Sequence, residues 1–405
     1  MSDAGKSTER GGEVLFIGGR VFDGTAMGEG IGVLVAQGRI AAVSPADTFV
    51  GFAGTRIDTT GKTLLPGLVD AHVHLAFDAS DTPDGSLFDG NGAALVAAVA
   101  ERAEASLRAG FVALRDCGGP GTAEFVYRDA VNQGTRVGPV VQACGRMVRK
   151  AVNGFGDGVA YEADDGDVAA AVAAVAASGA DFINIMTTID ATACGKPDRP
   201  AYSESAVQAG VAAAAQRGLR TITNAQCADD VRTTAHAGVA SIEQGSLLDD
   251  AGLAAMLAHN VVLVPIFLAR HNMDAARVAR GGAPEAIDAA AALAEHTRGA
   301  ARRFAAAGGV VALGTDCGAP GSRHGSNGAE LALMVAAGLT PQEVLVAATR
   351  NGAALMGLSD LGRVGVGAWA SLMLVEGDPS RDIAMLADPA NHHGVWHDGV
   401  RVAGT

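Results

Sequence analysis

From residue 67 onward, short apolar runs alternate with Ala-rich amphipathic segments, and this alternation constrains the fold more than any other feature of the chain. The apolar runs predict strands at 67–72, 111–115, 139–144, 181–186, 219–224, 239–243, 261–265 and 310–315. Between them the pattern predicts helices such as Ala93–Ala109, Val168–Ser178, Ser205–Arg217 and Glu285–Ala307, with a last one over Pro341–Leu358. Parallel strands need a crossover of this kind, usually a helix, between them. Eight such units predict an α/β chain folded as a (β/α)8 TIM barrel. An open doubly wound sheet is the alternative, but no predicted strand runs into a Gly-x-Gly-x-x-Gly turn.

The ends have a different texture. Val14–Phe22 and Ile31–Ile40 read as short strands with Gly turns, and strand texture returns at Gly365–Val375 and Gly394–Val402. Both termini are therefore expected to pair in one small β-sandwich domain, residues 13–64 with 360–405, and to carry the barrel, 65–359, as an insertion. The polar segment 1–12 is expected to be disordered.

Lys and Arg number 30 against 44 Asp and Glu, a net charge of −14, which speaks against a nucleic-acid partner. No apolar run reaches the roughly 20 residues of a membrane span, and the first twelve residues lack the apolar stretch of a signal peptide. The five cysteines include no Cys-x-x-Cys pair, which predicts reduced thiols and a cytoplasmic protein. Ala-rich helices on this fold suggest a homo-oligomer acting on a small-molecule substrate.

Chemistry concentrates at strand ends. Pro66-Gly67-Leu68-Val69-Asp70-Ala71-His72-Val73-His74 is a buried strand closing on His-x-His, and Val310–Asp316 is another closing on a carboxylate. Strand C-termini line the active sites of parallel barrels, which makes His72, His74 and Asp316 the first candidates for catalysis. The order of Leu65–His74, Ala113–Gly119, Ser241-Ile242-Glu243-Gln244-Gly245, Gly314-Thr315-Asp316, Gly338–Pro341 and Ala348–Ala354 resembles the amidohydrolase superfamily over nearly the whole chain. The similarity is greatest to the branch of prolyl-dipeptide and imidazolone-propionate hydrolases. That resemblance implies metal ligation by His72, His74 and Asp316, with Asp316 also moving protons. It also marks departures. Asn184 stands where the family's fourth strand carries a lysine, and Asn224 and Gln244 stand where the fifth and sixth strands carry histidines. Phe155 and Gln226 occupy further positions where this branch often has histidine.

Neutral amides are poor ligands for a divalent transition ion, so a binuclear site is not expected. The leading expectation is that no cofactor is bound; the alternative is a single Zn or Fe on His72, His74 and Asp316. Without a cation, Asp316 would lose the main cause of a low pKa and serve as general base on water. His72 or His74 would orient that water or polarise the substrate. Asn184, Asn224 and Gln244 keep hydrogen-bonding capacity and are candidates for holding a small polar substrate, with Gln226, Phe155, Thr187 and His324 as weaker ones. Cys227 and Cys317 follow the fifth and eighth strands but read better as packing than as nucleophiles. Arg115 and Asp116 read as structural.

Three functions follow. One is a metal-independent hydrolase adding water to a small N-heteroaromatic substrate, a nitroimidazole losing nitrite being one concrete case. The second is a mononuclear amidohydrolase cutting a C–N bond of a dipeptide or cyclic amide. The third is a non-catalytic ligand-binding protein.

Overall fold

Leu68–Val73 and Phe111–Asp116 are buried at every position, the pattern of strands covered on both faces. A computed structural model describes residues 12–80, 92–151, 158–188, 191, 194–196 and 201–404. In it these two strands pair in parallel, and Phe111–Asp116 pairs on its other edge with Val140–Ala143. The Asp181 amide donates to Ala143 and carries the sheet on to Ile183–Met186, which also pairs with Met147–Arg149. Thr221–Ala225, Ser241–Gln244 and Val262–Val264 then follow in parallel register. Helices separate the strands, among them Gly92–Arg108, Ala123–Asn132, Val168–Ala177, Glu204–Ala215, Ala228–Ala237 and Asp250–Ala258. The result is an α/β fold.

The eighth segment differs from expectation. Residues 310–315 form no continuous ladder; isolated parallel bridges join Val311 to Leu263 and Cys317 to Val73. The Ala71 amide donates to Leu313, so the segment still links the seventh strand back to the first. The ladder breaks because the Thr315 and Asp316 amides both turn to the His72 carbonyl, at 3.2 and 2.8 Å. Close packing adds to this, since a side chain at Gly314 would run into Val264 and His72.

The last predicted helix is also interrupted. Pro341–Val346 is α-helical, Ala347–Asn351 is a π-turn and Gly352–Leu355 resumes the α-helix. The Ala347 carbonyl accepts from Leu313, a bond outside the helix of the kind that loosens one turn.

Both termini share two sheets. Lys62–Pro66 pairs antiparallel with Leu372–Glu376 and parallel with Arg20–Phe22, in a six-stranded sheet that also holds Met27–Glu29, His392–His397 and Val400–Ala403. Arg39–Pro45, Ile31–Ala36, Val14–Ile17 and Thr55–Asp58 make a four-stranded sheet. Phe16, Val33, Ile40, Leu64, Leu372 and Trp396 form one buried cluster, with the Phe16 and Trp396 rings edge to face at 4.9 Å.

One expectation about the cysteines is corrected. Cys194 and Cys227 form a disulfide, while Cys117, Cys144 and Cys317 are free and buried. The partners are 33 residues apart in sequence, and Cys227 stands at the start of helix Ala228–Ala237. Among the described residues no helix is long and apolar enough to cross a membrane.

Candidate active site

The site is built on Asp70, which the sequence reading passed over. Its carboxylate accepts from the His72 and Thr315 amides at 3.2 and 3.1 Å, from the Thr315 hydroxyl at 2.6 Å and from Asn327 Nδ2 at 2.7 Å. Burial pushes this carboxyl up to about 6 against those bonds. Asp70 thus staples the end of the first strand to the loop that carries Asp316.

The two histidines are oriented from behind. His72 Nδ1 lies 2.9 Å from Glu243 Oε2, and His74 Nδ1 lies 2.7 Å from the Gly118 carbonyl. Each ring thus turns its Nδ1 back to an oxygen and its Nε2 forward. The Nε2 atoms face Asp316 Oδ1 at 3.8 Å from His72 and 3.2 Å from His74. Among the described residues this is the one group of three or more His, Cys, Asp or Glu placed to share a metal ion, with its ligand atoms all within 4.8 Å of one another.

Electrostatics here overturn one expectation. Burial works to raise the Asp316 pKa, yet the hydrogen bond and charge of His74, with help from Arg270, hold it below the ordinary carboxylate value. The protein neighbours of Asp316 are thus enough to give it a low pKa. For His74, burial works downward and Asp316 outweighs it, raising the ring to about 9.

Asn184 lies inside the fourth strand, Asn224 is the last residue but one of the fifth and Gln244 the last of the sixth. Asn184 is anchored by Nδ2 donating to the Cys117 carbonyl at 2.8 Å, which leaves its buried Oδ1 without a partner. Asn224 Oδ1 and Gln244 Oε1 are likewise buried and unpartnered. Gln244, Ile266 and Asp316 have φ values of 72, 55 and 56°, so three neighbouring strand ends adopt left-handed backbone. Such conformations are costly for side-chain-bearing residues and gather at functional sites.

The remaining candidates fall in different places. Thr187 Oγ1 donates to the Asn224 carbonyl at 3.1 Å and lies against Thr223. Gln226 Oε1 accepts from Arg270 at 3.5 Å, and the Gln226 amide donates to Thr188. His324 sits behind His74: its Nε2 is 3.1 Å from the His74 carbonyl, and burial drops its pKa to about 4. Phe155 lies outside the described residues. Cys227 is tied up in the disulfide, and burial pushes the Cys317 thiol well up, away from nucleophilic use. Arg115 and Glu243 pair at 2.9 Å inside the fold. Glu243 and Arg270 were missed by sequence reasoning; the adjacency of Glu243 to Gln244 was the available signal for one, and nothing marked the other.

The donor set decides what ion would fit. Two imidazole Nε2 atoms and a carboxylate make a two-His, one-carboxylate set suited to a single Zn or Fe. His72 Nε2, buried and without a hydrogen-bond partner, fits the same use. Asn184, Asn224 and Gln244 offer only neutral amide oxygens, a poor donor set for a second ion.

The amidohydrolase family profile matches residues 63–402. The chain belongs to the amidohydrolase family. It is accordingly an enzyme of the hydrolase class within that superfamily. The imidazolonepropionase of Mycolicibacterium smegmatis is 28% identical over 91% of this chain and 87% of its own. An uncharacterized protein of Mycobacterium tuberculosis is 29% identical over 88% of both chains. A Xaa-Pro dipeptidase crystallised with methionine in its active site superposes with a TM-score of 0.82 at 26% identity, covering 96% of this chain and 99% of that one.

Proposed function

We propose that this amidohydrolase adds water to a small polar substrate at a centre formed by His72, His74 and Asp316, on a (β/α)8 barrel whose termini build a β-sandwich domain. The observation that carries this reading is the convergence of both Nε2 atoms on Asp316 Oδ1 where the first strand meets the eighth segment. Asp316, ionised and partly open to the site, takes the proton of the attacking water. His74 holds the carboxylate in place and returns a proton to the leaving group. The oxygens of Asn184, Asn224 and Gln244 accept hydrogen bonds from N–H groups of the substrate.

For the reaction itself we propose displacement on an electron-poor N-heteroaromatic ring. Water adds to the ring carbon, Asp316 accepts its proton, and the C–N bond breaks with its electron pair leaving on nitrite when the substituent is nitro. The products are the hydroxy-azole and nitrous acid, so atoms balance. The three amides favour this metal-free route because they take away the charge and ligands of a binuclear centre.

A second reading has a specific observation in its favour. The forward-facing Nε2 atoms of His72 and His74 suit one ion, held with Asp316. Such an ion would supply Lewis-acid polarisation of a carbonyl, and the substrate would then be a dipeptide or cyclic amide, in keeping with the imidazolonepropionase and dipeptidase relatives. The test is a substrate panel of nitro- and halo-azoles, proline dipeptides and cyclic amides, run on protein stripped by chelator and on protein supplied with Zn. Azole turnover by stripped protein supports the first reading. Amide turnover only with Zn supports the second. Failure of all substrates with both preparations sinks the proposal. We further propose a homo-oligomer without nucleic-acid or membrane partners, which light scattering checks.

A further inference from the structure

The sixth strand ends on the neutral Gln244 and reaches the centre through the preceding residue. Glu243 is fully buried and spends every bond it makes on orientation. Its Oε1 accepts from Arg115 Nη2 at 2.9 Å and from the Ser241 hydroxyl at 2.5 Å, and its Oε2 faces His72 Nδ1 at 2.9 Å. Arg115 is itself fixed: its Nε donates to the Ala71 carbonyl at 2.6 Å, one residue before His72. Glu243 thus holds the imidazole ring by its rear nitrogen, and Arg115 and Ser241 hold Glu243.

We propose that Glu243, salt-bridged to Arg115, is a positioning residue that fixes the tautomer of His72, so that Nδ1 carries the ring proton and Nε2 offers its lone pair to the site. A neutral imidazole has one N–H. The carboxylate only accepts, so the proton must stay on Nδ1, and Nε2 is left as an acceptor beside Asp316. His74 obtains the same orientation from the Gly118 carbonyl, which cannot be removed by mutation; His72 obtains it from a side chain, which can. A rear carboxylate of this kind raises the basicity of the forward nitrogen and orients the ring, and its loss typically costs 10–100-fold in metal affinity or activity. In Glu243→Gln the amide has both a donor and an acceptor, and an NH2 turned toward Nδ1 would move the ring proton to Nε2.

The inference rests on the reading of His72, His74 and Asp316 as the centre, and its test separates the two. The ring tautomer of His72 is read by long-range 1H–15N NMR on protein with 15N-labelled histidine, assigned by loss of the signal in His72→Gln. The expected result is the Nδ1–H form in the wild type and a shift toward Nε2–H in Glu243→Gln. An Nε2–H form in the wild type overturns the proposal without any variant. So does an unchanged tautomer in Glu243→Gln. Because Glu243→Gln leaves Arg115 without its counter-charge, the Arg115→Gln, Glu243→Gln double variant serves where the single one fails to fold. Zn binding by calorimetry is the companion readout: where the wild type binds Zn, the variant binds 10–100-fold more weakly, and equal affinity overturns the proposal. A wild type with the Nδ1–H form that binds no Zn and turns over nothing supports the positioning role while refuting the catalytic reading of the centre.

Discussion

His74 Nε2 stands 3.2 Å from Asp316 Oδ1, and this contact joins the end of the first strand to the eighth segment across the centre of the site. The two groups raise one pKa and lower the other, so each keeps its partner charged. Asp316→Asn preserves the shape and removes the base. Turnover of whichever substrate the panel identifies should fall by about 10²–10⁴-fold with little change in melting temperature. Activity within a few-fold of wild type would mean that another group activates the water.

Metal content separates the amide argument from the family's usual arrangement. Protein purified without a metal-affinity tag and then offered Zn should bind at most one ion per chain by elemental analysis. One ion directs attention to amide substrates, and none directs it to azoles. Two ions per chain would contradict the reading of Asn184, Asn224 and Gln244 as non-ligands.

The amide oxygens have no protein partner, so removing them costs the folded protein little. Asn184→Ala, Asn224→Ala and Gln244→Ala should each weaken substrate binding or turnover by about 1–3 kcal/mol, with Asn184→Ala also freeing the Cys117 carbonyl it now caps. Steady-state kinetics with a thermal melt checks this; unchanged kinetics at all three positions removes them from the substrate's surroundings. The triple variant Asn184→Lys, Asn224→His, Gln244→His should gain metal and lose a metal-free activity.

Glu330 supplies the pH dependence of stability. Its buried carboxyl accepts from the Phe267 and Leu268 amides at the start of helix Leu268–Ala279, and burial, with the Asp70 and Asp316 charges, pushes it up to about 8. Between the ordinary glutamate value and about 8 the folded state binds the proton and the unfolded state does not. Stability contributed by this group is therefore full below the unfolded pKa and declines as pH rises toward 8, by at most about 1.4 kcal/mol per pH unit. Urea midpoints from pH 5 to 8 should fall in the wild type and fall less steeply in Glu330→Gln. Parallel slopes would assign the dependence to other groups.

The Cys194–Cys227 disulfide ties the segment after the fourth strand to the helix after the fifth, beside Gln226. Treatment with a dithiol, or Cys194→Ser, should lower stability by about 2–4 kcal/mol. Denaturant midpoints with and without the dithiol decide it, and Cys194→Ser should abolish the difference.

The sequence by itself determined the parallel α/β plan and the three groups at its centre. Periodicity marks buried strands such as Leu68–Val73 without reference to any partner, because burial on both faces leaves a continuous apolar run. Histidines at such a strand's end, His72 and His74, are conspicuous for the same reason. Everything that depends on which distant residue lies behind a side chain was decided by the tertiary structure. Glu243 behind His72 is 171 residues away, Thr315 on Asp70 is 245 away, and Cys194 meets Cys227 across 33. The pKa of Asp316 belongs to this class. A carboxylate's ionisation is set by charges within a few ångströms, and His74 reaches it only when the eighth segment gives up its ladder and turns back to the His72 carbonyl. The irregular bridge at 311–317 and the π-turn at Ala347–Asn351 have the same origin: long-range hydrogen bonds overrode a local strand and helix preference that the sequence states clearly.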